Sequence, residues 1–214
     1  MHLDVLDADG ALRETAAAAS GDTRAGFFAK AGLVGGGALA AAALGAPELA
    51  GAATRTSDIA ILNYALTLEY LEAAFYTEAE RRGALSGELA DFAVVVGAHE
   101  RAHVKGLKAA LGRKAVKKPR FDFRGTTEDA AKFAATAQAL EDTGVAAYAG
   151  QAPKVKADAI LRAALAIHTV EARHASWIRD INGVAPAPAG FDKPLSKRKV
   201  REAVAATGFI VDGR

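Results

Sequence analysis

His99-Glu100-Arg101-Ala102-His103 is the stretch whose reading decides the fold, because it returns in altered form as Glu171-Ala172-Arg173-His174. Taken alone it is H-E-x-x-H, in which two histidines one helical turn apart bind zinc and the glutamate acts as general base. Taken with its return, it is one of two Glu-x-x-His pairs, Glu100/His103 and Glu171/His174. Positions i and i+3 share a helix face, so each pair can offer a carboxylate and an imidazole to one metal ion.

The rest of the chain favours the paired reading. Upstream of Glu100 lie Leu68-Glu69 and, seven residues after the glutamate, Tyr76; upstream of Glu171 lie Leu140-Glu141 and, again seven residues on, Tyr148. Seven residues are two helical turns, so each glutamate shares a face with its tyrosine. Glu69 precedes Glu100 by 31 residues and Glu141 precedes Glu171 by 30. The body is therefore two copies of one helix pair. The repeat also sorts competitors. Glu72 is matched by Gly144 and His99 by Val170, so neither is expected among the ligands. What both halves share is Glu69/Glu141, Tyr76/Tyr148, Glu100/Glu171 and His103/His174. One glutamate from each of two helices, with Glu-x-x-His from each of the other two, is the donor set of di-iron and di-manganese bundles.

Helical periodicity runs from about Thr56 onward. It predicts helices over Ser57–Arg82, capped by Ser57 or Asp58; from Ser86 or Gly87 to Gly112; over Thr127–Gly150; and from beyond Pro153 to Asn182-Gly183. The second carries an apolar stripe of Leu89, Phe92, Ala93, Val96, Leu107 and Ala110, and the fourth a stripe running from Ile160 to Ile181. Ser196 is placed to cap a short last helix reaching about Ala206. No useful strand alternation appears. The expected fold is all-α: a four-helix bundle over 55–183, with 184–214 as a C-terminal extension. The cations of Arg113–Arg124 and Lys193–Arg201 read as solvated faces, and His168 as surface.

Residues 1–54 differ in composition. A polar stretch to Asp22 is followed by Thr23-Arg24-Ala25-Gly26-Phe27-Phe28-Ala29-Lys30 and then an Ala/Gly-rich run to Ala53 with Glu48 its only charge. This order reads as an export signal and resembles the twin-arginine type, with Ala25 where the second arginine belongs. A disordered or loosely helical tail and an uncleaved membrane anchor are the alternatives, the latter weakened by the many glycines. A net charge of +2 implies no polyanion partner, so no nucleic acid is expected. The absence of cysteine excludes disulfides, thiolate metal sites and cysteine nucleophiles.

The body from Thr56 to Ile210 resembles the ferritin-like superfamily, in particular exported bacterial ferritin-like domain proteins, some termed desiccation-related. Besides the paired motifs, Ile61-Leu62-Asn63-Tyr64-Ala65-Leu66-Thr67-Leu68-Glu69-Tyr70-Leu71-Glu72 and Phe191-Asp192-Lys193-Pro194-Leu195-Ser196 carry the likeness. The ligand spacing is similar to that of bacterioferritin and rubrerythrin, and unlike that of the mini-ferritins that coat DNA. The resemblance implies two iron or manganese ions, with Glu100 and Glu171 bridging, Glu69 and Glu141 each at one ion, His103 and His174 adding one nitrogen each, and Tyr76 and Tyr148 hydrogen-bonding the carboxylates.

Four carboxylates in a dry core need about four positive charges or they take up protons. Two divalent cations supply that charge, and a mixed carboxylate and imidazole set suits iron or manganese. The leading expectation is a ferroxidase-like oxidoreductase that oxidises ferrous iron or reduces oxygen or peroxide, with electrons from the iron or an external donor. The others are a stress-protective structural bundle stabilised by its metal, and a zinc protease built on His99, Glu100 and His103. A homo-oligomer is compatible with each.

Overall fold

The computed structural model describes residues 55–211. The signal-like stretch lies outside them. Five α-helices follow in order: α1 Thr56–Arg82, α2 Gly87–Leu111, α3 Ala130–Gln151, α4 Asp158–Ile181 and α5 Lys197–Thr207. Single turns of 3-10 helix extend α2 (Gly112–Lys114) and α3 (Ala152–Lys154). Among the described residues there is no β-strand, only an isolated antiparallel bridge between Phe121 and Ile210. No helix among them is long and apolar enough to cross a membrane.

α1 begins with Asp58 in its first turn and ends with Arg81 and Arg82 in its last, each charge opposing the helix dipole. It stops at Gly83, whose left-handed backbone (φ 63°) returns its N–H to Ala79 O. The short link that follows folds α2 back along α1, and α3 pairs with α4 in the same way. Two helix hairpins thus form one four-helix bundle, as the duplicated sequence requires. α5 lies against α3, with Val200 fully buried beside Tyr64, Leu68 and Ala147. A β-carbon on Gly150 would run into the Leu195 carbonyl, so the absence of a side chain there lets the chain before α5 settle on α3.

Besides the small cluster under α5, the apolar interior of the bundle falls into two parts. One cluster holds Phe75, Tyr76, Phe92, Val96, Phe133 and Ile178. The other holds Leu62, Leu66, Leu107, Tyr148, Ile160 and Ile167. On every helix of the bundle the candidate ligands fall between the two sets. A polar layer at mid-bundle is therefore sealed above and below by hydrocarbon.

Four details differ from expectation. Neither Ser57 nor Asp58 caps α1, whose N-cap is Arg55. Asp58 is fully buried and accepts the backbone N–H groups of Lys156 and Ala157, both at 3.0 Å, so it closes the start of α4 instead. α3 starts three residues late, because Asp129 accepts Lys132 N–H and fixes the first turn there. The connection from Arg113 does keep its cations exposed, but it also buries Phe123 in the core and ties itself to the chain end through Asp122 N–H to Phe209 O (2.9 Å) and Val211 N–H to Arg120 O (3.0 Å). His168 is half-buried rather than on the surface, with Nδ1 enclosed. α5, by contrast, starts where Ser196 Oγ accepts Lys199 N–H, as its sequence suggests.

Candidate metal centre

Each helix of the bundle delivers one glutamate to the polar layer: Glu69 from α1, Glu100 from α2, Glu141 from α3 and Glu171 from α4, all with no solvent exposure. α2 and α4 add His103 and His174, one turn beyond their glutamates and nearly as buried. Helix periodicity alone accounts for this. The i+3 spacing stacks the imidazole over the carboxylate on the inward face.

His103 Nδ1 lies 3.2 Å from Glu69 Oε2, 3.2 Å from Glu100 Oε2 and 3.0 Å from Glu171 Oε1. His174 Nδ1 lies 3.1 Å from Glu100 Oε1, 3.3 Å from Glu141 Oε2 and 3.8 Å from Glu171 Oε2. Glu100 and Glu171 thus each turn one oxygen to each imidazole, while Glu69 and Glu141 serve one imidazole apiece. The donors fall into two groups, Glu69/Glu100/His103/Glu171 and Glu100/Glu141/Glu171/His174, each with ligand atoms within 4.8 Å of one another. The tyrosines cross over: Tyr76 of α1 donates to Glu141 Oε1 of α3, and Tyr148 of α3 donates to Glu69 Oε1 of α1. All six predicted ligands and both predicted tyrosines come together.

Glu72 comes with them. Its side chain is buried, and a β-carbon on Gly144 would sit 3.3 Å from Glu72 Oε1 and 3.4 Å from Glu171 Oε2. The glycine that made Glu72 look unpaired in the repeat is what leaves room for a fifth carboxylate. His99 is in neither donor group, but its Nδ1 is 2.9 Å from His174 Nε2. A zinc site on His99 and His103 would need both rings on one ion, and these two face different partners.

Charge explains how the layer tolerates its acids. Burial, reinforced by the charge of Glu171, pushes the carboxyls of Glu72 and Glu100 well above the usual range. Burial likewise lifts Glu141 to about 7 against the pull of His174 and Tyr76. Glu171 goes the other way. Burial would raise it, but the imidazoles of His103 and His174 hold it down to about 2. Burial would lower both imidazoles, yet the surrounding carboxylates raise His103 well above its ordinary value and His174 to about 12. Five carboxylates against two imidazolium ions leave three negative charges, and three acids are pushed toward the neutral form. The side chains by themselves reach neutrality only by binding protons.

That proton load is what a cation would displace. Glu100 Oε1, Glu141 Oε2 and both oxygens of Glu171 are buried, and although each lies 3.0–3.8 Å from an imidazole nitrogen, none is aligned to accept a hydrogen bond from it. Buried acceptors left unpartnered are costly. All of these atoms converge on the same mid-bundle space, so the residues fit a pair of cations bound by oxygen and imidazole nitrogen.

The comparisons agree. The ferritin-like domain family matches residues 57–184. The chain belongs to the ferritin-like family. No curated protein matches the chain. The match spans both hairpins and every member of the centre, so the acidic and imidazole cluster of this ferritin-like chain is its candidate metal site.

Proposed function

We propose that this ferritin-like chain is a di-metal carboxylate protein that holds two iron or manganese ions and oxidises ferrous iron or reduces oxygen or peroxide. The observation that carries the reading is the division of Glu100 and Glu171, one oxygen toward each imidazole. Carboxylates shared in that way would hold two ions side by side. When bound, such ions supply one-electron redox chemistry and open positions for a small oxidant.

The chain's residues do the remaining work. Glu100 and Glu171 hold both positions in fixed relation, and Tyr76 and Tyr148 orient the outer carboxylates. The two apolar clusters exclude water. A cavity of about 30 Å³ has an almost wholly apolar lining that includes Leu68, Leu107, Tyr148 and Ile167. With no cysteine in the chain, electrons come from the iron itself or from an external donor.

We further propose that the protein is of the exported, desiccation-related kind, working outside the cytoplasm. The support is the stretch from Thr23 to Ala53. An intact Met1 on protein recovered from the cytoplasm would refute this part.

The test of the centre is anaerobic titration with ferrous iron, followed by exposure to oxygen or peroxide with absorption recorded throughout. Two ions per chain and a new absorption band on oxidation are expected. Fewer than two bound ions refutes the paired site. Two ions with no oxidation leaves them a stabilising role and refutes the redox assignment.

A further inference from the structure

His99 is the one member of the H-E-x-x-H stretch that the donor groups do not use. It lies at the bundle surface, on the turn of α2 before Glu100, with its ring edge against His174 of α4. The contact is specific to one atom of each ring. His174 presents Nδ1 to Glu100 and Glu141, and its other nitrogen, Nε2, is 2.9 Å from His99 Nδ1. A ligating imidazole must offer an unprotonated nitrogen to its ion, so the proton of neutral His174 belongs on Nε2. Nε2–H then donates to His99 Nδ1, which accepts. In this way His99 fixes both the tautomer and the ring plane of His174.

The other half of the bundle lacks this support. Val170 holds the place on α4 that His99 holds on α2, and a valine offers His103 no acceptor. We infer that His99 is a positioning residue for His174, and that it makes the two metal positions unequal by strengthening the one built on Glu100, Glu141, Glu171 and His174. This rests on the di-metal reading above. It adds that the nominal first histidine of the motif works through the opposite hairpin and not through its own Glu100.

The experiment is a manganese(II) titration of the full chain, followed by electron paramagnetic resonance, with circular dichroism to confirm the helices. The variants are His99→Val, which copies the other half, and His99→Asn, whose Oδ1 falls near the lost Nδ1 and restores an acceptor. His99→Val should weaken one of two ions about 10- to 100-fold, the usual effect of losing a partner behind a ligand, and leave the other within about twofold. His99→Asn should recover most of that affinity. In double variants, His99→Val should add its full effect to His103→Ala and almost none to His174→Ala, because the contact it removes acts only through His174. Two unchanged affinities in His99→Val overturn the inference. So does equal weakness in the valine and asparagine variants, since ring packing would then be the cause. Failure of the parent protein to bind two ions would instead overturn the di-metal reading itself.

Discussion

Replacing Glu171 by alanine tests the centre most severely, because this carboxylate touches both imidazoles and belongs to both donor groups. Each ion would keep three of four protein donors. Losing only an outer partner of a ligand costs about 10- to 100-fold in affinity, so about 100-fold is a modest value for losing the ligand itself. At free metal about 100 times the dissociation constant, each ion stabilises the fold by about 2.7 kcal/mol; after a 100-fold loss it contributes about 0.4 kcal/mol. Over two ions the lost stabilisation is about 4–5 kcal/mol, or about 9–18 °C in melting temperature for a domain of this size. Glu69→Ala, which serves one imidazole, should lose about half as much.

The fold itself should survive. Removing Glu171 takes one negative charge from the layer, and one of the acids pushed toward neutrality can ionise to restore the balance. The assay is calorimetric melting of parent and variants with and without manganese(II), alongside metal stoichiometry. A Glu171→Ala protein that binds two ions and keeps the full metal-dependent shift would refute the shared-ligand geometry.

Stripped of metal, the protein should melt at progressively lower temperature as pH rises from about 4.5 through about 7. The Glu72, Glu100 and Glu141 carboxyls are all raised in the fold, so the stability each contributes is complete below its unfolded value and lost as pH climbs, and together these three outweigh His99, whose burial-lowered imidazole acts in the opposite sense. The metal-loaded protein should show no such loss across that window, because its cations replace the protons; matching pH profiles for the two forms would contradict this. Tyr148→Phe should weaken the ion beside Glu69 and His103, and Tyr76→Phe the one beside Glu141 and His174, each readable as loss at a single position in a manganese titration. Asp58→Ala should cost about 1–3 kcal/mol by leaving the Lys156 and Ala157 N–H groups without their acceptor, seen as a lower denaturation midpoint with unchanged metal binding.

Much of the fold, and the set of side chains the bundle brings together, is legible in the sequence for a physical reason. A ligand set shared by two helix pairs must repeat in register, and the Glu69/Tyr76 and Glu141/Tyr148 spacings expose that register directly. The same logic hides whatever occurs once. The repeat leaves Glu72 out of the ligand set because Gly144 stands opposite, and Glu72 is in neither donor group, but the missing side chain leaves room for its buried carboxyl beside them. Asp58 looked like a cap for its own helix, and no local pattern reveals an acceptor for backbone 98 residues away. The connection between α2 and α3 has no period at all, so its sequence does not separate Phe123, which packs edge-on against Phe209 in the core, from a loop aromatic.

The two departures from the repeat fall on the same side of the centre. A β-carbon on Gly144 would be within 3.4 Å of both Glu72 Oε1 and Glu171 Oε2, and Glu171 Oε2 is the oxygen turned toward His174. Glu171 and Glu141 are also the first two charges that act on the Glu72 carboxyl, after burial. His99 reaches His174 from the bundle surface. The donor group at Glu141, Glu171 and His174 therefore has an additional carboxylate and an additional imidazole beside it, while in the other half Val170 stands at the register position of His99. A duplicated hairpin creates two matching positions at mid-bundle. Substitution at two places, each leaving a small or apolar residue in one half and a polar one in the other, makes them chemically distinct without disturbing the helices that hold them.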